Sequence, residues 1–265
     1  MHDHAIPERL LPHLTASSHI LDVGCGHGEL THLLAAHVVG LGGQASQVVG
    51  VDLSFDSDAT SHPTSPTTPD GTHTQPAFTE GSILDLPFSN DSVDVILASQ
   101  VLHHVTDPVA ALRECSRVLR PGGIILAKDL DFGAMTWYPP HPGLSRWRAV
   151  FTVAASLENM EPNGGRHLPT WCTKAGLDIE HVGGDLQTYG TTDNRAAFAE
   201  KWSDRVDEDR FRDKAARALG DPDGPTGAMS TSAIEQMLAG WREWSETPGA
   251  VMTMPIIEVL ARLPR

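Results

Sequence analysis

A glycine-rich turn between a predicted strand and a predicted helix constrains this chain most. Residues 20–30 read ILDVGCGHGEL, with glycine at every second position from Gly24 to Gly28. Glycine permits a tight turn and lets a ligand approach the main chain at a helix N-terminus. An ordinary glycine-rich turn is the alternative. Dinucleotide sites prefer the spacing G-x-G-x-x-G, and an acidic residue, Glu29, follows the turn, so a ligand that places an amino-acid moiety here fits better than a phosphate.

The N-terminal half alternates short β-branched runs with segments of helical period, which is typical of a parallel sheet with crossover helices. The predicted strands are residues 19–23, 48–52, 93–98 and 124–128, with a weaker one at 77–80. One helix is predicted from Glu29 to about Gly40. Another begins at Asp107-Pro108, an N-cap acid followed by proline at the first helical position, and ends before the Pro-Gly-Gly run.

The second half of the chain has a different pattern. Residues 137–140, WYPP, predict a connection, and residues 55–76 and 220–230 predict loops because they are rich in Ser, Thr, Pro, Gly and Asp. The predicted helices are 144–157, 169–175, 195–219 and 232–244, and the predicted strands are 177–182 and 256–261.

Composition excludes several classes of protein. The chain has 265 residues and a formal net charge of −15, so a nucleic-acid partner is disfavoured. No stretch approaches the roughly 20 apolar residues of a membrane span, and the first residues lack the features of a secretion signal, which predicts a cytoplasmic protein. Three cysteines far apart in sequence predict neither a disulfide framework nor a zinc site.

Two further segments point to a nucleoside. The second strand ends in Asp52, at the edge of the sheet where an acid can accept both hydroxyls of a ribose, although a strand-ending Asp can also cap a loop. Residues 80–88, EGSILDLPF, predict a turn beside the position of the adenine.

Four segments, taken in order, carry a family resemblance: ILDVGCGHG, VDLS, GSILDLPF and SQVLHHVTDPVAALRECSRVLRPGG, within residues 19–128. They resemble class I S-adenosylmethionine-dependent methyltransferases, in the small-molecule branch related to ubiquinone/menaquinone-biosynthesis methyltransferases. Residues 160–176 resemble the segment that follows the core in bacterial and fungal members.

The resemblance implies an α/β, Rossmann-like class I methyltransferase fold. Its sheet would be mostly parallel and seven-stranded, with helices on both faces and a helical cap from C-terminal insertions. Residues 1–130 would form the S-adenosylmethionine-binding core. Residues 131–265 would form the substrate-selecting helical cap plus the last strands of the sheet.

The resemblance also implies a set of residues that bind S-adenosyl-L-methionine and the product S-adenosyl-L-homocysteine: Asp22, Gly24, Cys25, Gly26, Asp52, Leu53, Ser82, Ile83, Ser99 and Gln100. Asp22 and the turn from Gly24 to Gly26 would line the methionine part. Asp52 would bind the ribose and Leu53 would lie against the adenine. Ser82 and Ile83 would lie at the edge of the adenine. Ser99 and Gln100 would close the pocket near the sulfonium. Relatives often carry Asp where Ser82 stands, and Asp85 is the substitute we consider.

Methyl transfer is an in-line displacement, which requires alignment of the acceptor, and a base only when the acceptor must lose a proton. His104 and His103 follow the fourth strand and are the first candidates, because imidazole titrates near neutral pH. Packing against the next helix is the alternative for both. Asp129 and Asp131 are further candidates, with a solvent-exposed loop position as the alternative.

The predicted cap contains fewer residues that indicate a function. Arg166 is a candidate to fix an anionic or carbonyl-bearing acceptor, or else it ties the cap to the core. Trp137 and Tyr138 are candidates to line an apolar acceptor pocket, although such aromatic residues are more often ordinary core. Histidines recur every five residues from His27 to His37, which does not gather them on one helical face, so no metal site is expected.

The leading hypothesis is an enzyme, an S-adenosylmethionine-dependent methyltransferase that moves a methyl group to O, N or C of a small, apolar or aromatic metabolite. The sequence lacks the Asn/Asp-Pro-Pro-aromatic and Pro-Cys motifs of nucleic-acid methylases. The alternative is a protein of the cofactor fold that acts as a ligand-binding module or catalyses non-methyl chemistry. The sequence leaves open whether the chain forms a homodimer.

Overall fold

The structure, a computed structural model, describes residues 5–54, 75–209, 211–213 and 231–265. The chain divides into two compact units. What we call the core unit comprises residues 2–129, 164–184 and 257–265, and what we call the cap unit comprises residues 130–163 and 185–256. The predicted loop at 220–230 and all but the last two residues of the one at 55–76 lie outside the described residues.

The described residues form one sheet of eight strands, in the order β3-β2-β1-β4-β5-β8-β6, with β7 paired to β8. The strands are β1 Ile20–Val23, β2 Val48–Asp52, β3 Ala77–Glu80, β4 Val93–Ser99, β5 Leu119–Leu130, β6 Thr136–Tyr138, β7 Asp178–Tyr189 and β8 Val251–Arg262. The first five are parallel to their neighbours among themselves, whereas β6 is antiparallel to β8. The α/β fold is confirmed. The prediction of a connection at 137–140 is wrong at its first two residues, because they belong to β6.

The helices with described bounds are α1 Glu29–Gly40, α2 Pro108–Val118, α3 Pro142–Leu157, α4 Gly164–Ala175, α5 Thr192–Asp207 and α6 Thr231–Glu246. The cap of α2 is as predicted, since the Asp107 side chain accepts a hydrogen bond from the Ala110 N–H at 2.9 Å. The predicted helix at 195–219 is wrong in its length, because Glu208 adopts an extended conformation after α5. None of the helices in the described ranges is long and apolar enough to cross a membrane.

Helices cover both faces of the sheet in the core unit, as expected. Successive residues of a strand point to opposite faces. Leu21 of β1 belongs to one hydrophobic cluster, with buried residues of α2 and α4. Ile20 belongs to another, with buried residues of α1. The sheet is therefore held by apolar packing on each side, and its strand ends are left for chemistry.

The carboxyl ends of β1, β2 and β4 meet at one edge of the sheet, because these strands are parallel. β1 lies between β2 and β4 in the sheet. The chain runs outward from β1 through β2 to β3 and then crosses to β4 on the other side of β1. Such a switch point opens a crevice at the carboxyl edge where α/β proteins bind ligands.

The cap unit has its own aromatic core. Its buried members include Phe132, Trp147, Phe151, Trp202, Trp241 and Trp244. Helices α3 and α6 approach closely within it: a Cβ placed on Gly143 would lie 2.1 Å from the Gln236 carbonyl oxygen and 2.9 Å from the Cα of Gly240. Glycine at both positions lets the two backbones touch.

We expect Gly143→Ala to destabilise the protein by about 3 kcal/mol, because the added methyl group forces α3 and α6 apart. The measurement is the free energy of unfolding in urea. Gly40→Ala, at the end of α1, is the matched control, since a Cβ there meets nothing within 4 Å. Equal stability of the two variants would contradict the close crossing.

Candidate active site

The glycine turn after β1 has the backbone that its sequence predicts. Gly24, Gly26 and Gly28 have φ angles of 69°, 55° and 82°. A Cβ on Gly24 would lie 2.4 Å from a methyl group of Val101, so this position has neither the backbone nor the space for a side chain. The Gly24 N–H donates to the Val51 carbonyl oxygen at 2.7 Å, which fixes the turn to the end of β2.

Asp52 lies at the centre of the carboxyl edge and is half-buried. One of its carboxylate oxygens accepts the Gly26 N–H at 2.8 Å, and the other accepts the Leu53 N–H at 2.8 Å. Leu53 itself is 73% exposed. The edge therefore combines an acid aligned by two peptide groups with an uncovered apolar side chain, which suits a ribose and a planar base.

Asp22 is buried in β1, and its side chain accepts a hydrogen bond from the Thr31 hydroxyl at 2.6 Å. Burial is the main reason why the pKa of Asp22 rises to about 6; the Thr31 hydrogen bond opposes the shift, while Asp52 and Glu29 add to it. Sequence reasoning missed Thr31. The signal was its place in the first turn of α1, which returns over the end of β1.

The shifted pKa makes stability depend on pH. The folded chain holds a proton on Asp22 up to about pH 6, whereas the unfolded chain releases it near the ordinary carboxyl pKa of 3.8. The stabilisation is thus complete below pH 4 and is lost as the pH rises to 6, by about 3 kcal/mol. We expect urea unfolding to show this fall for the wild type relative to Asp22→Asn. Parallel pH profiles for the two proteins would contradict it.

The turn after β3 is anchored beside Asp52. The Gly81 N–H donates to the Asp52 carbonyl oxygen at 2.8 Å. Within the turn, the Asp85 N–H donates to the Ser82 carbonyl oxygen at 3.0 Å, and the Leu84 N–H donates to the Ser82 hydroxyl at 3.1 Å. Ile83 is buried, whereas the Asp85 side chain is exposed.

Ser99 and Gln100 end β4 next to the glycine turn. Ser99 pairs with Lys128 of β5 and is half-buried. Gln100 has a φ of 56°, a left-handed conformation that is unusual outside glycine, and its N–H donates to the Lys128 carbonyl oxygen at 2.7 Å. This bond to the neighbouring strand holds the chain in its turn away from the sheet.

A buried histidine–aspartate pair follows directly. The Nδ1 atom of His103 contacts the Oδ1 atom of Asp129, and the His103 N–H donates to the Oδ2 atom at 3.0 Å. Both side chains are almost fully buried, whereas His104 is exposed and its ring centroid lies 3.9 Å from that of His103. The carboxylate therefore fixes the orientation of one imidazole and leaves the Nε2 atom of that ring for other contacts.

The pair is enclosed by the first turn of α4. A Cβ on Gly164 would lie 2.7 Å from the Cβ of His103 and 3.4 Å from the Oδ2 atom of Asp129. The alternative of a solvent-exposed loop acid is therefore wrong for Asp129. It is also wrong for Asp131, which is 3% exposed and whose side chain accepts the Ala134 N–H at 3.1 Å in the cap unit.

The chain is similar to known methyltransferases. Residues 21–127 match the model of a family described as a methyltransferase domain. An uncharacterized methyltransferase of Schizosaccharomyces pombe is 29% identical over 89% of this chain and 81% of that protein. A ubiquinone biosynthesis O-methyltransferase of Xanthomonas euvesicatoria is 28% identical over 70% of this chain and 72% of that protein. These matches support a class I S-adenosylmethionine-dependent methyltransferase.

A solved structure shows the same methyltransferase fold over nearly the whole chain. The SAM-dependent methyltransferase from Methanosarcina mazei is 14% identical, with a TM-score of 0.57 over 98% of each chain. The carboxyl edge of this methyltransferase fits the cofactor of its class. The glycine turn has positive φ angles, and the carboxylate of Asp52 is held by the Gly26 N–H.

The residues predicted to bind the acceptor belong to both units. In the cap unit, Trp137 is half-buried beneath the Arg148 guanidinium, 4.7 Å from its ring centroid, while Tyr138 is 64% exposed. Arg166 is exposed in the first turn of α4, in the core unit.

The three cysteines of the chain form no disulfide bond. The thiols of Cys25, Cys115 and Cys172 are free, and burial raises the pKa of the last two to about 12. Within the described ranges, no three His, Cys, Asp or Glu side chains are grouped so that they could hold a metal ion.

Proposed function

We propose that this methyltransferase moves the methyl group of S-adenosylmethionine to an oxygen, nitrogen or carbon of a small, apolar or aromatic metabolite, with His103 as the base. The observation that carries the proposal is the buried contact between His103 and Asp129 just beyond the ends of β4 and β5. A histidine held by a carboxylate is suited to accept a proton from a hydroxyl, an amine or an acidic carbon.

The proposed cofactor contacts follow the strand ends. Asp22 and the turn from Gly24 to Gly26 would hold the methionine part, and Asp52 the two ribose hydroxyls. Leu53 and the turn at Ser82 and Ile83 would cover the adenine, and Ser99 and Gln100 would close the pocket. S-adenosylmethionine, when bound, supplies a methyl group activated by a sulfonium.

The two residues of the base act in sequence. Asp129 accepts a hydrogen bond from the Nδ1–H group of His103, and this tautomer leaves a lone pair on the Nε2 atom. That atom takes the proton of the acceptor as the new bond to the methyl group forms, and Asp129 stabilises the imidazolium. The proton then returns to solvent when the product leaves.

The name of one relative supports oxygen as the acceptor atom. The ubiquinone biosynthesis protein of Xanthomonas euvesicatoria is an O-methyltransferase.

The test is a metabolite extract incubated with the protein and methyl-deuterated S-adenosylmethionine. We expect a labelled methyl group in a small apolar or aromatic product, together with S-adenosylhomocysteine. Labelled RNA, DNA or protein would contradict the proposed acceptor class.

The same experiment separates the alternative of a ligand-binding module or of non-methyl chemistry. That alternative would be favoured if calorimetry shows binding of S-adenosylhomocysteine but no compound in the extract gains the label. Compounds that change without the label would indicate non-methyl chemistry, and no change at all would indicate a ligand-binding module. Absence of binding would contradict the cofactor itself. Sedimentation of the same sample reports whether the protein is a homodimer.

A further inference from the structure

Two charged residues of α2, Glu114 and Arg117, hold the segment that follows the turn after β3. The Oε1 atom of Glu114 accepts the Leu86 N–H at 2.7 Å. The Arg117 guanidinium donates to the carbonyl oxygens of Leu86 at 3.0 Å and of Phe88 at 2.9 Å. The donor and the acceptor of Leu86 are therefore both fixed by side chains of one helix.

The two side chains also fix each other. The Nε atom of Arg117 donates to one oxygen of Glu114 at 2.9 Å, and a terminal nitrogen donates to the other at 2.7 Å. These hydrogen bonds lower the pKa of the Glu114 carboxyl, so the pair stays ionised. A planar guanidinium can make this two-pronged contact and still reach two carbonyl groups, whereas the single ammonium of a lysine cannot.

The pair fixes only one end of the turn. At the other end, the Gly81 N–H donates to the main chain of Asp52. Between them, residues 82–85 form a tight turn closed by the hydrogen bond from the Asp85 N–H to the Ser82 carbonyl oxygen. The turn therefore connects Asp52, which we propose binds the ribose, with Glu114 and Arg117 on α2.

We propose that Glu114 and Arg117 are positioning residues for recognition of the adenine, which they fix by holding the turn at residues 82–85 against the base. The inference rests on the proposed placement of the cofactor at Asp52. Neither residue touches the cofactor. A short turn discriminates one base edge from another only when its main-chain groups are held to within about half an ångström, and the pair supplies that restraint.

The competing explanation is that the pair only stabilises the fold. An ion pair near the surface adds little to stability, which makes this explanation the weaker one. The two roles differ in one measurable quantity. A positioning role changes the ratio of affinities for two ligands that differ only in the base, whereas a loss of stability weakens both ligands equally. S-adenosylhomocysteine and S-inosylhomocysteine are such ligands, since an oxygen replaces the adenine amino group in the second.

The experiment is calorimetry of both ligands with the full chain. We expect the wild type to prefer S-adenosylhomocysteine. Arg117→Met should weaken that ligand about tenfold and the inosine analogue about twofold, so the preference falls about fivefold. Glu114→Gln keeps an oxygen for the Leu86 N–H and should lie between the wild type and Arg117→Met, which is a graded response that a general loss of folding would not give.

Arg120→Met is the matched control. Arg120 follows three residues later and pairs with Asp94 of β4 at 2.6 Å, and not with the segment that follows the turn. It should leave the preference unchanged. Should Arg117→Met fail to fold, Glu114→Gln alone decides the matter.

Two results would overturn the proposal: no preference in the wild type, or the same preference in the wild type and in every folded variant of the pair. Absence of any S-adenosylhomocysteine binding by the wild type would instead contradict the proposed cofactor site.

Discussion

Asp129→Asn and His103→Asn are each expected to lower kcat by about 100-fold or more, because the first removes the carboxylate that holds the proposed base and the second removes the base itself. Asparagine at 129 keeps an oxygen for the His103 N–H but loses the charge that stabilises the imidazolium. The measurement is steady-state methyl transfer to an acceptor found in the extract screen. Calorimetry should show affinity for S-adenosylhomocysteine within about threefold of the wild type.

His104→Asn is the matched control for this prediction. Its imidazole is exposed, whereas that of His103 is buried against Asp129, so kcat should change little. The reverse outcome, a large loss for His104→Asn and a small one for His103→Asn, would move the base to His104, the residue that the sequence alone placed first. Unchanged turnover in all three variants would show that the acceptor needs no base.

Asp52→Ala is expected to raise the Kd for S-adenosylhomocysteine about 100-fold, because two charge-assisted hydrogen bonds to the ribose are lost. The glycine turn also loses the acceptor of the Gly26 N–H. Calorimetry measures the effect directly and needs no acceptor. Asp178→Ala, at the exposed start of β7, is the control and should bind as the wild type does.

Asp52→Asn separates the two roles of this carboxylate. The amide oxygen can still accept the Gly26 N–H, while only one further acceptor site remains for the ribose. We expect an affinity between those of Asp52→Ala and the wild type. A Kd for Asp52→Ala within about threefold of the wild type would exclude Asp52 as the ribose ligand.

β1, β2 and β4 could be predicted because each is a short β-branched run with most of its residues buried. The predictions for β2 and β3 match the structure to the residue. β7 was predicted only in part, since it continues through two glycines to Tyr189 with most of its residues exposed, and it therefore has no hydrophobic alternation to read. β8 contains Pro255, which reads as an interruption in a sequence, so its first residues were missed.

Helix α4 shows how a local rule fails. Proline favours the first position of a helix, so the sequence predicted a start at Pro169. The structure begins the helix at Gly164 and places Pro169 inside it. The helix starts early because Gly164 and Gly165 pack directly against His103 and Asp129, and a glycine pair carries no such signal in one dimension.

The candidate base shows which part of the site could not be predicted from the sequence. The sequence named His103 and Asp129 separately and did not pair them. A signal was present, because β4 and β5 are neighbouring parallel strands, and residues just beyond their ends must meet. Burial of the pair depends on α4, which returns to the sheet 35 residues after Asp129. Only the folded chain shows that contact.

The carboxylate of Asp52 has a consequence for the speed and thermodynamics of ligand binding. Its two oxygens offer about four lone pairs, of which the peptide groups of Gly26 and Leu53 occupy two. The other two lone pairs are thus oriented before any ligand binds. The side chain loses its conformational entropy on folding and not on binding. Binding at this acid should therefore proceed without a slow rearrangement step.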